Sequence, residues 1–445
     1  MTIRAVRALL AACAVASAWP ALAQQRQGGL QNPAQPPSQA PAQTQVHQAA
    51  ITGPLTLQQA LQRAANANPR LTVAERNIGM ADGRREQANA LPNPTFGVEV
   101  DNFAQGNNGM VSKAESTLML SQLIELGGKR SARVQAALGD YDSMRWEREA
   151  ARLELLSETT IAFVQALSEQ RRVQILERQA GALEKLIPAM QRRVDAGASS
   201  PAEVSRTQAA VGLVRLERER GRTSLALARR ELAVLMNLDQ PSFGAATGDF
   251  GRLVRPAPLD GLIRAMDDNP QLMRWTAVRA RRDAELLSAR LKPLPDVTVS
   301  VALRNYAETN ENAVRFGVSI PINVIDRNRG AIREAQENVQ KTESERAVNR
   351  LTLLAVIGKA HDTANGALQQ IDLLRKTVLP AARASLKTIE EGYGQGRFTL
   401  LEILDAYNTV ASAELLEHDA LASFHTAVAT IEGLIGSPVT QAGTR

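Results

Sequence analysis

The chain has one cysteine, Cys13, among 445 residues, and that one lies in a segment marked for removal. Arg4 and Arg7 precede an apolar run from Ala8 to Trp19, and Ala21-Leu22-Ala23 offers small residues for cleavage before Gln24. Residues 1–23 therefore read as a signal peptide. Leu10-Ala11-Ala12-Cys13 imitates a lipoprotein processing box, but the apolar stretch before it is short and apolar residues continue after it. Without Cys13 the mature chain has no disulfides and no thiolate metal sites. Aromatic residues are also scarce, at 3%. The abundance of Ala, Leu, Arg, Glu and Gln belongs to long packed helices rather than to a broad globular core. No charge of one sign dominates: a formal +6 is spread over the chain, with no basic block interleaved with aromatics, so nucleic acid is not an expected partner. Beyond the signal no apolar run approaches the ~20 residues of a membrane helix. If this chain enters a membrane, it does so as a barrel.

The groups that carry catalysis are missing too. His47, His361, His418 and His425 are scattered. His418 and His425 fall two turns apart on one helix, yet no nearby carboxylate completes a metal or nucleophile constellation, which points to packing or solvated roles. No Walker-type loop follows a strand. The chain is expected to be no enzyme and to hold no cofactor or metal, and any energy for transport must come from a partner.

What is present is repetition. Residues 24–54 form a Gln/Pro/Ala-rich leader with little to bury, and folded structure is expected from Leu55. From there short stretches recur at a spacing of about 200 residues, too long for a solenoid. "QRAANANPRL" (Gln62 to Leu71) is echoed by "IRAMDDNPQL" (Ile263 to Leu272), and "ALPNPTFGVEV" (Ala90 to Val100) by "KPLPDVTVSVA" (Lys292 to Ala302). "GGKRSAR" (Gly127 to Arg133) lies opposite "RNRGAIR" (Arg327 to Arg333), and "GASSPAEV" (Gly197 to Val204) opposite "GRFTLLEI" (Gly396 to Ile403). Four echoes in one order indicate a duplicated unit: residues 55–250, then 251–438, with a tail at 439–445.

Each unit carries two short patterns of period two. Val297, Val299, Val301 and Leu303 alternate with Thr298, Ser300, Ala302 and Arg304; Phe316, Val318 and Ile320 alternate with Arg315, Gly317 and Ser319. In the first unit Phe96, Val98 and Val100 alternate with Gly97, Glu99 and Asp101, and Leu118 and Leu120 form a weaker partner. These read as hairpins at about 93–123 and 295–321 with polar loops around Gly106 to Ser112 and Glu308 to Asn312. A small sandwich lying on helices would account for them. So would a membrane barrel shared among chains, since four strands cannot close one alone.

The remainder is coiled-coil-like. Val173, Leu176, Ala180, Leu183, Ile187, Met190 and Val194 follow at alternating steps of three and four. Val204, Val211, Val214, Leu225, Ala228, Leu232 and Leu235 continue the seam, with Arg218 and Gly221 irregular. Ala331 to Glu391 reads as one long helix, and Pro188 and Pro380 are expected to kink their helices shortly before the glycine breaks. After the second break stand Glu402 and Asp405, three apart on one helix face. Solvated charges beside the Leu401/Leu404 seam are the plain reading of that pair.

The signal peptide, the repeat, the hairpins between long helices and above all "GYGQGRFTLLEILDA" (Gly392 to Ala406) resemble the TolC family of outer-membrane factors, the exit ducts of Gram-negative tripartite efflux pumps and type I secretion systems. "ALPNPTF" and "QLIELGGKR" (Gln122 to Arg130) are similar to the CzcC/CusC-type branch that serves heavy-metal pumps of the resistance-nodulation-division (RND) class. The resemblance implies a mainly α fold with a small β part. Three chains would share one twelve-stranded barrel in outer-membrane lipid and a helical tunnel in the periplasm. An adaptor and an inner-membrane RND pump are the implied partners, and heavy-metal cations the implied cargo. The same duct serving a drug pump or a type I protein exporter is the alternative; a periplasmic coiled-coil scaffold without a pore is a second. Glu99, Asp101, Arg304 and Arg315 would face the lumen. Gly197, Gly392, Gly394 and Gly396 would form the helix-tip turns where the adaptor docks. Glu402 and Asp405 match acids of the family's periplasmic constriction, and Tyr393 matches a tyrosine that ties neighbouring helices shut. Arg397 lies one residue before the family's gating arginine, about 100° around a helix.

Overall fold

Two Asn-Pro steps open the helical parts of the molecule, and both start a helix in the same way. The computed structural model describes residues 53–102, 114–197 and 199–437. The signal peptide, all but the end of the leader, the loop at 106–112 and the C-terminal tail lie outside the described residues. Helix α1 (Leu57–Ala67) begins with a capping box between Thr56 and Gln59, which satisfies donors that the first turn leaves open. Asn68 then caps α2 (Pro69–Asn89), accepting from the Arg70 amide at 2.9 Å and donating to the Leu235 carbonyl at 2.8 Å. Pro69 takes the first helical position, where no amide hydrogen is needed.

Strands β2 (Thr95–Asp101) and β3 (Glu115–Ile124) follow, then α3 (Lys129–Glu184), α4 (Leu186–Asp195) and α5 (Pro201–Leu235). After the short helix α6 (Leu259–Met266), Asn269 caps α7 (Pro270–Leu291) on the Gln271 amide and donates to the Leu434 carbonyl. Strands β5 (Val297–Tyr306) and β6 (Glu311–Ser319) lead into α8 (Arg329–Leu373), α9 (Leu379–Gly394) and α10 (Leu400–Ile435). The residues before α3 and α8, Gly128 and Asn328, are both left-handed, at φ 79° and 56°.

The helices are long because little interrupts them. Helix α3 has 56 residues, ~85 Å at the usual rise. The two prolines leave their mark where expected: Lys185 interrupts the helix before Pro188, and a π-helical turn, Leu374–Val378, precedes Pro380. Each ring removes an amide donor and crowds the carbonyl four residues back, so the preceding turn widens or breaks.

Burial follows the seam. Val173, Leu176, Ala180, Leu183, Met190, Val204, Val211 and Val214 are buried, while Ile187 and Val194 pack at its border. Gly221, irregular in the pattern, lets Val173 approach: a Cβ there would stand 3.2 Å from Val173 Cγ2. A second core collects Leu55, Phe163, Leu167, Leu232, Phe250, Ile371 and Phe424 where α1, α3, α5, α8 and α10 meet. It is bordered by a two-stranded parallel sheet that period-two reading could not find, β1 (Leu55–Thr56) on β4 (Ala246–Thr247). Two residues carry no periodicity.

The larger sheet has order β2-β3-β5-β6, antiparallel throughout. Both hairpins join at β3 and β5, where Leu118 faces Leu303 and Leu120 faces Val301. β3 is longer than its alternation suggested, because Met119 and Leu123 on its other face hide the period. The turn at 307–310 is tighter than the expected loop: Glu311 and Asn312 already pair with Tyr306 and Asn305.

Candidate functional site

Two places gather the residues singled out above: the tip where the helices turn, and the polar face of the sheet. At the tip, α4 hands over to α5 and α9 to α10. Gly197 and Gly396 adopt φ 75° and 73°, a conformation that a side chain resists. Gly392 and Gly394 serve otherwise, since both lie in the last turn of α9. A Cβ on Gly392 would meet the Phe398 ring at 2.4 Å, whereas Gly394 has open space. The Arg397 amide reaches back to the Gly392 carbonyl at 2.9 Å, ending the helix through a left-handed cap. Arg397 thus sits in the turn itself with an exposed side chain, so reckoning its position by helical rotation does not apply.

One clamp joins the two turns. The Arg193 guanidinium lies 4.9 Å from the Tyr393 ring centroid. It donates to the Tyr393 carbonyl at 3.2 Å and to Ser199 Oγ at 3.1 Å. The Tyr393 hydroxyl donates to Met190 Sδ at 2.8 Å, and burial raises its pKa. Within one chain Tyr393 therefore ties α9 to α4. Arg193 escaped the sequence reading because its partner is 200 residues away. The repeat spacing itself, which sets Gly197 opposite Gly396, was the signal that could have found it.

The two acids part company. Glu402 is the third residue of a capping box: its carboxylate accepts from the Thr399 amide at 2.6 Å and from the Thr399 hydroxyl at 2.8 Å. Those bonds lower its pKa. Asp405 is exposed one turn further on and has no partner among the described residues. Above the tip Glu414 accepts from Arg383 at 2.8 Å and Arg178 at 3.1 Å. Burial alone would raise its pKa, but the two guanidiniums outweigh it and the net shift is downward. Arg375 pairs with Glu417 at 2.5 Å, so ion pairs bind α3, α9 and α10 together.

On the sheet, paired residues share a face. Phe96, Val98, Val100, Leu118, Leu120, Ile124, Val299, Val301, Leu303, Val314, Phe316 and Val318 all lie on one side and are all exposed, Phe316 by 84% and Val318 by 68%. Glu99, Asp101, Arg304 and Arg315 lie on the other. Arg304 is directly in line with Glu99 through Thr117, while Arg315 sits a row closer to the helices, in line with Gly97. Arg304 pairs with Asp101 at 3.3 Å and with Glu115. Glu115 was not anticipated, since it stands 189 residues from Arg304 in sequence.

His418 and His425 pack. His418 meets Ser168 Oγ at 2.8 Å and His425 the Phe250 carbonyl at 2.9 Å, and both stack on the Phe250 ring. Among the described residues no three His, Cys, Asp or Glu side chains form a metal-holding group, and no helix is long and apolar enough to cross a membrane.

The described residues thus form a four-stranded sheet with an exposed apolar face, carried on long paired helices that end in a clamped tip. The chain belongs to the outer membrane efflux protein family, whose model matches residues 60–238 and 262–437. It is 30% identical to the cobalt-zinc-cadmium resistance protein CzcC of Cupriavidus metallidurans, over 86% of this chain and 90% of that one. It is 24% identical to the nickel-cobalt-cadmium resistance protein NccC of Alcaligenes xylosoxydans xylosoxydans, over 66% of each chain. The crystal structure of CusC superimposes with a TM-score of 0.76 over 92% of this chain and 99% of that chain, at 16% identity. This is an efflux channel protein of the outer membrane, and the scaffold without a pore is set aside.

Proposed function

We infer that three copies of this chain close one twelve-stranded barrel and one helical tunnel, through which divalent metal cations leave the cell. The apolar side of the four-stranded sheet carries this reading. Its exposed Phe316, Val318, Val314 and Phe96 find no cover among the described residues, where edge strands β2 and β6 also keep unpaired backbone groups that lipid cannot satisfy. Joining β6 of one copy to β2 of the next removes every edge and turns the apolar face to lipid. Glu99, Asp101, Arg304 and Arg315 then face the lumen.

The tunnel half follows from the helices. The matched pairs Asn68 and Asn269, Gly128 and Asn328, and Gly197 and Gly396 support a duplicated unit, as do the two matched segments of the family. At the tip a three-fold axis would bring Asp405 into a ring, with Glu402 capping the helix that presents it; a carboxylate repeated around a narrow pore attracts cations. The clamped turns at Gly197 and Gly396 offer the surface for a periplasmic adaptor, and an inner-membrane RND pump would supply the energy. The metal-resistance relatives support the cargo. Deleting the gene should sensitise the cell to zinc, cadmium, cobalt or nickel and leave drug susceptibility unchanged. Sensitivity to drugs alone would reassign the duct to a drug pump.

A further inference from the structure

We propose that the end of the sheet's polar face remote from the helices is a station for divalent cations, at which Arg304 acts as a tethered competitor. The proposal rests on the channel reading above and deepens it by naming the chemistry of one stretch of the lumen.

Asp101, Glu115, Tyr306 and Glu311 occupy one cross-strand row, and Thr117 and Arg304 face each other in the adjoining row. Arg304 Nη2 lies 3.3 Å from Asp101 Oδ2 and also contacts Glu115 Oε2. Two carboxylate oxygens from adjacent strands thus converge on a single nitrogen. An arginine usually meets one carboxylate through a two-pronged fork. Convergence of two carboxylates on one point is what a small cation with oxygen ligands requires.

The remaining groups at this place fit the same occupant better than they fit the arginine. Thr117 is 5% exposed, and its Oγ1 is buried without a partner among the described residues, as is Arg304 Nε. Thr117 lies two residues from Glu115 on the same face of β3 and directly opposite Arg304, so its hydroxyl is on the side of the sheet that carries the carboxylate pair. Asn102 Nδ2 donates to Glu115 Oε1 at 3.1 Å, leaving Oε2 for the cation. Arg304 also has somewhere to go, because its guanidinium carbon already lies 5.5 Å from the Tyr306 ring centroid, a face that holds a cation. All the donors are oxygens, with no imidazole or thiolate to hold a borderline or soft divalent ion tightly, and manganese is a suitable probe of such a set. Two carboxylates with a competing arginine hold an ion weakly, and that suits a lumen that ions must leave as well as enter.

The test uses the full chain purified into a planar lipid film, with Asp405→Ala as background so that the tip does not respond to the probe. Manganese is added on the side of the hairpin loops and the concentration for half-block of single-channel current is measured. Arg304→Gln should lower that concentration at least tenfold, and Arg304→Lys should lie between it and the native residue. Adding Asp101→Asn and Glu115→Gln to Arg304→Gln should abolish the response. Equal half-block with Arg304 and Arg304→Gln, or block that survives loss of both carboxylates, would overturn the station while leaving the channel intact. No conductance from the native chain would overturn the channel reading instead. Should Arg304→Gln not assemble, manganese bound to the detergent-solubilised native protein is counted by electron paramagnetic resonance. Loss of that binding in the Asp101→Asn, Glu115→Gln chain supports the station, and unchanged binding refutes it.

Discussion

The glycines at the helix tip do not all meet the same demand. Gly396, like Gly197, is held left-handed, so replacing either by alanine should cost about 1–2 kcal/mol. Gly394 ends a helix with room for a side chain, and alanine there should stabilise by about 0.5–1 kcal/mol. Thermal unfolding of the three variants in detergent gives the order; an equal loss at all three would contradict it. The two acids separate in the same manner. Asp405→Ala should abolish block of single-channel current by multivalent cations applied at the tip, whereas Glu402→Gln, which keeps an acceptor for the Thr399 amide, should leave block in place. Block that persists without Asp405 would remove the ring.

At the scale of elements, the sheet has one exposed apolar face and one polar face. Val301 stands mid-strand on the apolar face, directly between Leu120 and Phe316. Val301→Lys should cost about 2–4 kcal/mol if it lies near the bilayer midplane; Ser300→Lys, one residue earlier and on the polar face, should cost far less. Yield of heat-modifiable assembly in outer-membrane fractions measures both, and equal yields would contradict the assignment of faces. The elements were also the most legible part of the sequence. Alternation located β2, β5 and β6, Asn-Pro marked the starts of α2 and α7, and the prolines marked the altered helical turns, because each signal is local. β1 and β4 were too short to show a period. The pairs Arg304 with Glu115 and Arg193 with Tyr393 were invisible for another reason: long-range partners leave no pattern in a single sequence, except where duplication supplies a ruler.

For the whole molecule, His418 and His425 link stability to pH. Burial lowers the pKa of both below the usual 6.5. The unfolded chain therefore takes up protons near that value while the folded chain still excludes them, and stability falls as pH drops below about 6.5. It stops falling once the folded-state values are passed. Replacing both by glutamine should flatten this part of the profile, measured by thermal unfolding from pH 7 to 5; an unchanged slope would assign the acid sensitivity elsewhere.

Above all these stands the completeness of the wall. On the proposed reading each chain supplies four strands, and the lumen, the tip ring and the lipid-facing belt would form only when copies join. Native mass spectrometry of the protein released from outer-membrane lipid weighs that directly. Three chains in one particle is the expected mass, and a single chain would contradict the account.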